Sequence, residues 1–530
     1  MATAREDEST STIRDTGKTW RKVTFSVIVP YRSDWVTEPI ESSHGRPSKD
    51  ETNKFFKPLI NHESHANYKG LQTALKYANS QGSYFFSKRI KAAVNISHYA
   101  FYGHEDKEKV LSEIREAEYL SDGCKIPQNL RYVGLERREY DDLLGSVAGG
   151  EAFCYAVLHF LIDDATDIEV AEVAEWLKRP KWYGEKYLTS LLDNAGIGKC
   201  KYSKGGFSCE KKNWDEPEQN KRHNSDSRSN PSFNYNRIFV LTFAEVDPCG
   251  LKRPSCFDHH ESWTPTQAWL YELATGGIGI YSGMPPSDTS DAARDGMFCF
   301  GATWGRIEES GIALLAQPVL CEEANLIHAV KLCLLCHSRM LDIIILCLRQ
   351  RIYLDRNAES EARVLAGKSR WGDEEFAQLL DREQSVAAFL NGLWFTEVPG
   401  RREATLVMKE FQKVLGTPAL LTELRDEQES LVRVVEVQRR IDNVAREKNR
   451  KEQERRREER EKDAENKLEI IVLCLTVIST VLALAALFSD PSILLCIVGF
   501  AIAAILAAIA TVVVREKQKS VTRNPKKETK

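Results

Sequence analysis

Between Ala419 and Ser489 the chain has neither proline nor glycine, the two residues that most disfavour a helix interior. That absence predicts one unbroken helix. Met1 to Lys18 lacks any apolar core and is rich in Ser, Thr, Asp and Glu, which excludes a secretory signal in this stretch and predicts a disordered tail over 1–22. A dense cysteine framework is missing as well. The thirteen cysteines are scattered along 530 residues, with Cys333, Cys336 and Cys347 in apolar helical context, a usage that fits reduced thiols in cytosol. Charge of one sign is not in excess, and a net charge of -4 gives no global case for nucleic acid as a partner.

What the C-terminal part does have is apolar length. Leu468 to Phe488 carries Glu469 as its only charge and 492–514 carries none, so each stretch reaches the roughly 20 residues that span a bilayer's hydrocarbon core. Two transmembrane helices are expected, 468–488 and 492–514, joined by the short turn Ser489-Asp490-Pro491. Pro491 suits the first position of the second helix, where its missing N–H would be unpaired anyway. Lys and Arg crowd both outer flanks, from Lys448 to Lys467 and along the basic tail 515–530, while the turn has none. The positive-inside bias then predicts a multi-pass protein of the lipid bilayer with both termini cytosolic. Thr476, Ser479 and Thr480 lie near helical spacing and are candidates to line a pore, against plain helix packing through small residues.

Upstream, Lys22 to Tyr31 reads as a strand, and helical patterning is expected at Asp106–Leu120, Glu151–Ile162 and Ile168–Leu177. These make an α-rich cytosolic module over 23–198. A polar linker or long loop follows over 199–237, and then an α+β module over 238–417. Its signals are a strand at Ile238–Val246, a capping box at Thr264-Pro265-Thr266-Gln267, strand character within Ala302–Leu315 and helices at Glu374–Leu393 and Ala404–Leu415. Glu322–Arg351 is a long apolar helix interrupted by Lys331, His337, Arg339 and Asp342, which marks it as a core helix rather than a third span. The fold class is thus a helix-rich α+β region, a stalk helix over 418–467 and a two-helix hairpin.

In the stalk, positions 420, 424, 427, 431, 434, 438, 441 and 445 keep a heptad spacing, suited to a coiled coil or to packing on the cytosolic region. A homo-oligomer through stalk and transmembrane helices is the partner this implies. Past Ala445 the seam vanishes, and the helix relies on i,i+4 pairs such as Glu447/Lys451 and Glu452/Arg456, each worth about 0.2–0.5 kcal/mol.

Motifs for chemistry are thin. Gly367-Lys368-Ser369 lacks the first glycine of a phosphate loop, and Gly277, Gly279 and Gly283 have the wrong spacing for a dinucleotide site. Cys333-Leu-Leu-Cys336-His337 matches haem-attachment spacing inside an apolar helix, where packing explains it. Cys249, Cys256 and His259, with His260 beside them, could offer metal ligands, though not as one of the usual tight pairs. His62 and His65 lack the glutamate of a metalloprotease. No catalytic set stands out, and no cofactor is expected.

A large cytosolic region, one very long helix entering the membrane, a short outer turn, a second span and a basic tail together resemble the CorA-like family of magnesium channels, over about Thr417 to Lys530. The resemblance implies a divalent cation as partner and a ring of protomers. Family members end the first span with Gly-Met-Asn, where this chain has Phe488-Ser489-Asp490, so none of the selectivity residues carries over. Asp490 is the remaining candidate for a cation at the turn; a carboxylate beside the N-terminus of the second span, held by the helix dipole, is the plainer role. The expectation is a membrane-anchored cytosolic protein without recognisable catalysis. Its rivals are a working cation transporter and an enzyme with an unrecognised site.

Overall fold

The computed structural model describes residues 19–31, 35–37, 40, 86–102, 130–140, 153–179, 185–198, 200–203, 206–209, 237–246, 251–276, 286–300, 303–316, 330–365, 373–485 and scattered positions between 495 and 510. They fall into two units, Met1–Val432 and Arg433–Lys530.

In the first unit the elements run β1 (Trp20–Tyr31), α1 (Lys88–Ala93), β2 (His98–Tyr102), β3 (Arg131–Tyr140), β4 (Phe153–Ala165), α2 (Asp167–Lys178), α3 (Glu185–Asn194), β5 (Cys200–Ser203), β6 (Gly206–Cys209), β7 (Phe239–Val246), α4 (Pro265–Thr275), α5 (Ser290–Arg294), β8 (Met297–Phe300), β9 (Thr303–Glu308) and β10 (Gly311–Ala316). A helical stretch from Val330 passes through a π-helical turn, Cys336–Met340, into α6 (Leu341–Leu365), followed by α7 (Asp373–Gly392) and α8 (Arg402–Val414). The last helix, α9 (Thr417–Ala485), starts in this unit and runs into the second.

Eight strands form one sheet in the order β2-β3-β4-β1-β7-β10-β9-β8. All neighbours are antiparallel except β7 and β10. Strands from 23–198 and from 238–417 share this sheet, joined where β1 pairs with β4 on one side and β7 on the other. Helices cover both faces. Phe25, Val27, Leu158, Phe160 and Val240 pack with α2, α3 and α4, while Ile28, Val157, Leu161, Leu241 and Leu314 pack with α6, α7 and α8.

That double cover corrects one expectation. Glu151–Ile162 reads as helix because its apolar residues do not alternate, yet Phe153–Ala165 is a central strand. A strand buried on both faces is apolar at every position, so its period of two disappears. Among the described residues of 23–198, β1 to β4 stand beside α1, α2 and α3. Asp106–Leu120 lies outside the described residues, as do His62, His65, the glycines from 277 to 283 and Gly367-Lys368-Ser369.

Local chemistry fixes the helix ends. Thr264 accepts from the Gln267 N–H and the Gln267 side chain accepts from the Thr264 N–H, with Pro265 in the first turn, and Thr166 and Glu169 repeat the box on α2. Gly276 ends α4 at φ +64°, and a Cβ there would meet Lys178 Cδ at 2.6 Å and Ala174 O at 3.0 Å. Glycine is required on both counts.

Along α9 the seam differs from the expected heptad. Leu421, Leu424 and Leu431 are buried, whereas Val434 and Ile441 are more than half exposed. Leu424 and Leu431 of the expected heptad are buried, and beside them Leu421 and Val435, rather than Val434, complete the buried face. Farther on, Glu447–Lys451, Glu452–Arg456, Arg450–Glu454 and Arg455–Glu459 pair along the surface. The end of α9 is the one described helix long and apolar enough to cross a membrane, and Leu468, Leu473, Leu475 and Leu482 are each at least 60% exposed. The turn 489–491, with Asp490, and most of 492–514 lie outside the described residues.

Candidate functional site

The sheet's own register assembles a polar seam beneath the π-helical turn. Ser26 stands directly opposite His159 across the β1–β4 pair, and Thr24 lies two residues away on the same face. On β3, Glu136 and Arg138 share that face, because side chains two apart in a strand point the same way. His337 comes from the π turn and Asp342 from the first turn of α6. All of them are buried.

Every contact in the seam has hydrogen-bond length. Ser26 Oγ lies 2.9 Å from His159 Nδ1 and 2.9 Å from His337 Nδ1, and the two nitrogens are 3.2 Å apart. His337 Nε2 is 2.9 Å from Thr24 Oγ1, and His159 Nε2 is 3.0 Å from Glu136 Oε1. Arg138 Nε donates to Glu136 Oε2 at 2.6 Å, and its Nη1 donates to Asp342 Oδ1 at 3.0 Å. Nearby, Arg349 of α6 donates to Ala93 O and lays its guanidinium 4.4 Å from the Tyr140 ring centroid.

Charge is arranged to suit burial. For Glu136, burial alone would raise the pKa, but Arg138 and the His159 hydrogen bond together hold it at about 2. Glu136 is therefore an acceptor at both oxygens. Burial lowers His159 despite the opposing pull of Glu136, and burial lowers His337 further, with His159 adding to the effect. Both rings are neutral at pH 7.

A hydroxyl, an imidazole and a carboxylate in this order have the connectivity of a nucleophile, its base and the group that orients the base. Ser26, however, is fully buried in the middle of a strand covered by helix. The chain of bonds ties β1, β3 and β4 to the π turn, as a satisfied core network does. π-Helical turns and strongly shifted pKa values concentrate at functional sites, which singles this seam out from the rest of the core.

A second buried group lies on the other face of the sheet. Lys178 of α2 donates to Ala274 O and is pushed down to about 7 by burial, against the pull of Glu272 and Glu308. Glu272 of α4 is pushed up to about 8 by burial, opposed by the Cys256 hydrogen bond and Lys178. The Cys256 thiol donates to Glu272 Oε2 at 3.6 Å and is raised to about 12, chiefly by burial.

These positions bear on the expected metal ligands. Cys256 is turned toward Glu272, His259 is exposed, and His260 Nε2 lies 2.9 Å from Pro286 O. Cys249 and Asp490 lie outside the described residues. Among the described residues no three His, Cys, Asp or Glu gather to hold a metal ion. Thr476 donates to Val472 O, Ser479 to Thr476 O at 3.0 Å, and Thr480 to Thr476 O at 2.8 Å, so their hydroxyls serve carbonyls of their own helix. Cys333 and Cys336 pack in the apolar core, and their neighbour His337 belongs to the polar seam.

Sequence reasoning missed the seam, apart from marking His337 and Asp342 as polar interruptions of a core helix. The available signal was partial: Thr24, Ser26 and His159 interrupt apolar runs of their strands, whereas Glu136 and Arg138 sit in a charged run, Glu136-Arg137-Arg138-Glu139, that hides them. No protein-family profile, curated protein or solved structure matches the chain.

Proposed function

We propose that this is an integral membrane protein in which a C-terminal hairpin anchors a cytosolic α+β unit, with a layout like that of CorA-like proteins and a role in binding or assembly rather than catalysis. The observation that carries it is the continuity of α9. The helix begins with Leu421 and Leu424 buried in the core and ends with Leu468, Leu473, Leu475 and Leu482 exposed. A helix apolar all round is stable only in a protein core or in a bilayer, and among the described residues none of its most apolar stretch is buried.

The non-catalytic reading is supported by the burial of Ser26, His159 and His337, which keeps the seam's reactive atoms between sheet and helix. Self-association is supported by Val434, Val437, Ile441 and Val444, each more than half exposed at 3-4-3 spacing. The basic flanks of the hairpin support cytosolic termini.

The deciding experiment is alkaline extraction of membranes from cells that make the full chain. The protein should stay in the pellet, and a chain ending at Lys467 should move to the supernatant; full-length protein in the supernatant overturns the anchor. A glycosylation acceptor fused after Lys530 should stay unmodified. Liposomes holding the protein and a magnesium-sensitive dye should show no flux; flux lost in Asp490→Ala but kept in Thr476→Ala reinstates a transporter.

A further inference from the structure

His159 and His337 bring two Nδ1 atoms within 3.2 Å, with one hydroxyl between them. Glu136 accepts only, so His159 carries its single proton on Nε2 and presents a bare Nδ1. If His337 held its proton on Nε2, two bare nitrogens would face each other, and the one Ser26 hydrogen could serve only one of them. With that proton on Nδ1, every link has a donor. Thr24 Oγ1, nearer to His337 Nε2 at 2.9 Å than to Phe243 O at 3.4 Å, donates to the ring, His337 Nδ1 donates to Ser26 Oγ, Ser26 Oγ to His159 Nδ1, and His159 Nε2 to Glu136 Oε1. The chain runs in one direction and its last acceptor is a carboxylate.

We propose that Ser26, His159 and His337 form an acid-released latch that holds the π turn Cys336–Met340 against the sheet. A proton added at His159 Nδ1 makes a donor of the atom that receives the Ser26 hydrogen, so the relay loses its direction. The same proton places an imidazolium beside Arg138. Thr24 and Ser26 of β1 contact the pair and Glu136 and Arg138 of β3 act on it, while Asp342 binds Arg138, Cys333 contacts Thr24, and Cys336 and the half-buried Arg339 lie in the turn with His337. Of the two carboxylates, Glu136 already accepts from Arg138 and His159, and Asp342 accepts from Arg138.

Linkage gives the sign. Both imidazoles are held below their ordinary 6.5 in the closed seam, so the opened seam binds more protons below that value. Closure is at full strength above pH 6.5 and weakens as the pH falls. The opening constant then rises about tenfold per pH unit for one imidazole and about 100-fold for two.

The test is hydrogen–deuterium exchange over residues 336–340 in the full chain in detergent, at pH 7.5 and pH 5.5, after correction for intrinsic exchange. Protection should fall by at least about tenfold at the lower pH. In the double variant His159→Asn, His337→Asn, whose amides keep an acceptor and a donor near the Nδ1 positions but do not titrate, protection should not change with pH. If that variant does not fold, Ser26→Ala should show weaker protection at pH 7.5 and keep the acid response. Equal protection of the natural chain at both pH values overturns the latch, as does an acid response retained in the double variant. Loss of protection on adding a chelator at pH 7.5 also overturns it, by showing that a metal ion bridges the nitrogens.

Discussion

The sheet and the C-terminal half of α9 treat charge and oil in opposite ways. Under the π turn, Glu136, Arg138 and Asp342 are buried in mutual contact; past Ala445, charged side chains are exposed and the large apolar ones from Leu468 onward are exposed too. A buried ion must be compensated by its neighbours, whereas an exposed ion is compensated by water. The same reasoning makes the exposed leucines informative. Water does not stabilise them, and lipid does.

The contrast is broken most directly at Arg138. Arg138→Met leaves Glu136 and Asp342 without the guanidinium they share, and the expected loss is about 3–5 kcal/mol in denaturant unfolding followed by tryptophan fluorescence. Arg456→Met, which removes an exposed pair with Glu452, should leave the midpoint in place. Equal effects would mean that burial makes no difference to these ions.

A pH titration sharpens the same comparison. Lys178 titrates near 7 in the folded unit and near 10.5 when unfolded, so between those values the unfolded chain binds more protons and stability rises with pH, by up to about 1.4 kcal/mol per unit. Lys178→Met should abolish that rise. Glu272 has the opposite sign: the folded unit keeps, up to about 8, a proton that the unfolded chain releases above 4.5, so stability falls as the pH rises through that window. Glu272→Gln should flatten the fall, and an unchanged slope in either variant would assign the effect to other groups.

Two smaller effects test local geometry without touching charge. Gly276→Ala combines a left-handed backbone with contact against Lys178 and should cost more than about 1 kcal/mol. Thr264→Ala removes one cap of α4 and should cost about 1 kcal/mol, read from the same unfolding curves.

What the sequence made legible was local. β1, β7, the capped start of α4, the polar interruptions of the helix leading into α6 and the unbroken α9 each announce themselves within a short window, through β-branched runs, a Thr-x-x-Gln box or missing Pro and Gly. β4 did not, since burial on both faces erases alternation. The seam was further out of reach. Ser26 meets His159 and His337 across 133 and 311 residues, and only the strand register and the π turn decide that they touch.

The place of β1 sets a schedule for the nascent chain. It lies between the β2-β3-β4 half of the sheet and the β7-β10-β9-β8 half, and its hydrogen bonds join them. Of the described strands it is the first synthesised, yet its second neighbour ends at Val246. At about 5–20 residues per second, β1 waits roughly 10–40 s with at least one edge unpaired before β7 exists. Pairings this distant in sequence form slowly. An apolar strand exposed for that long is a natural substrate for chaperones, and slowing translation between β4 and β7 should lower the yield of folded protein more than the same delay after β10.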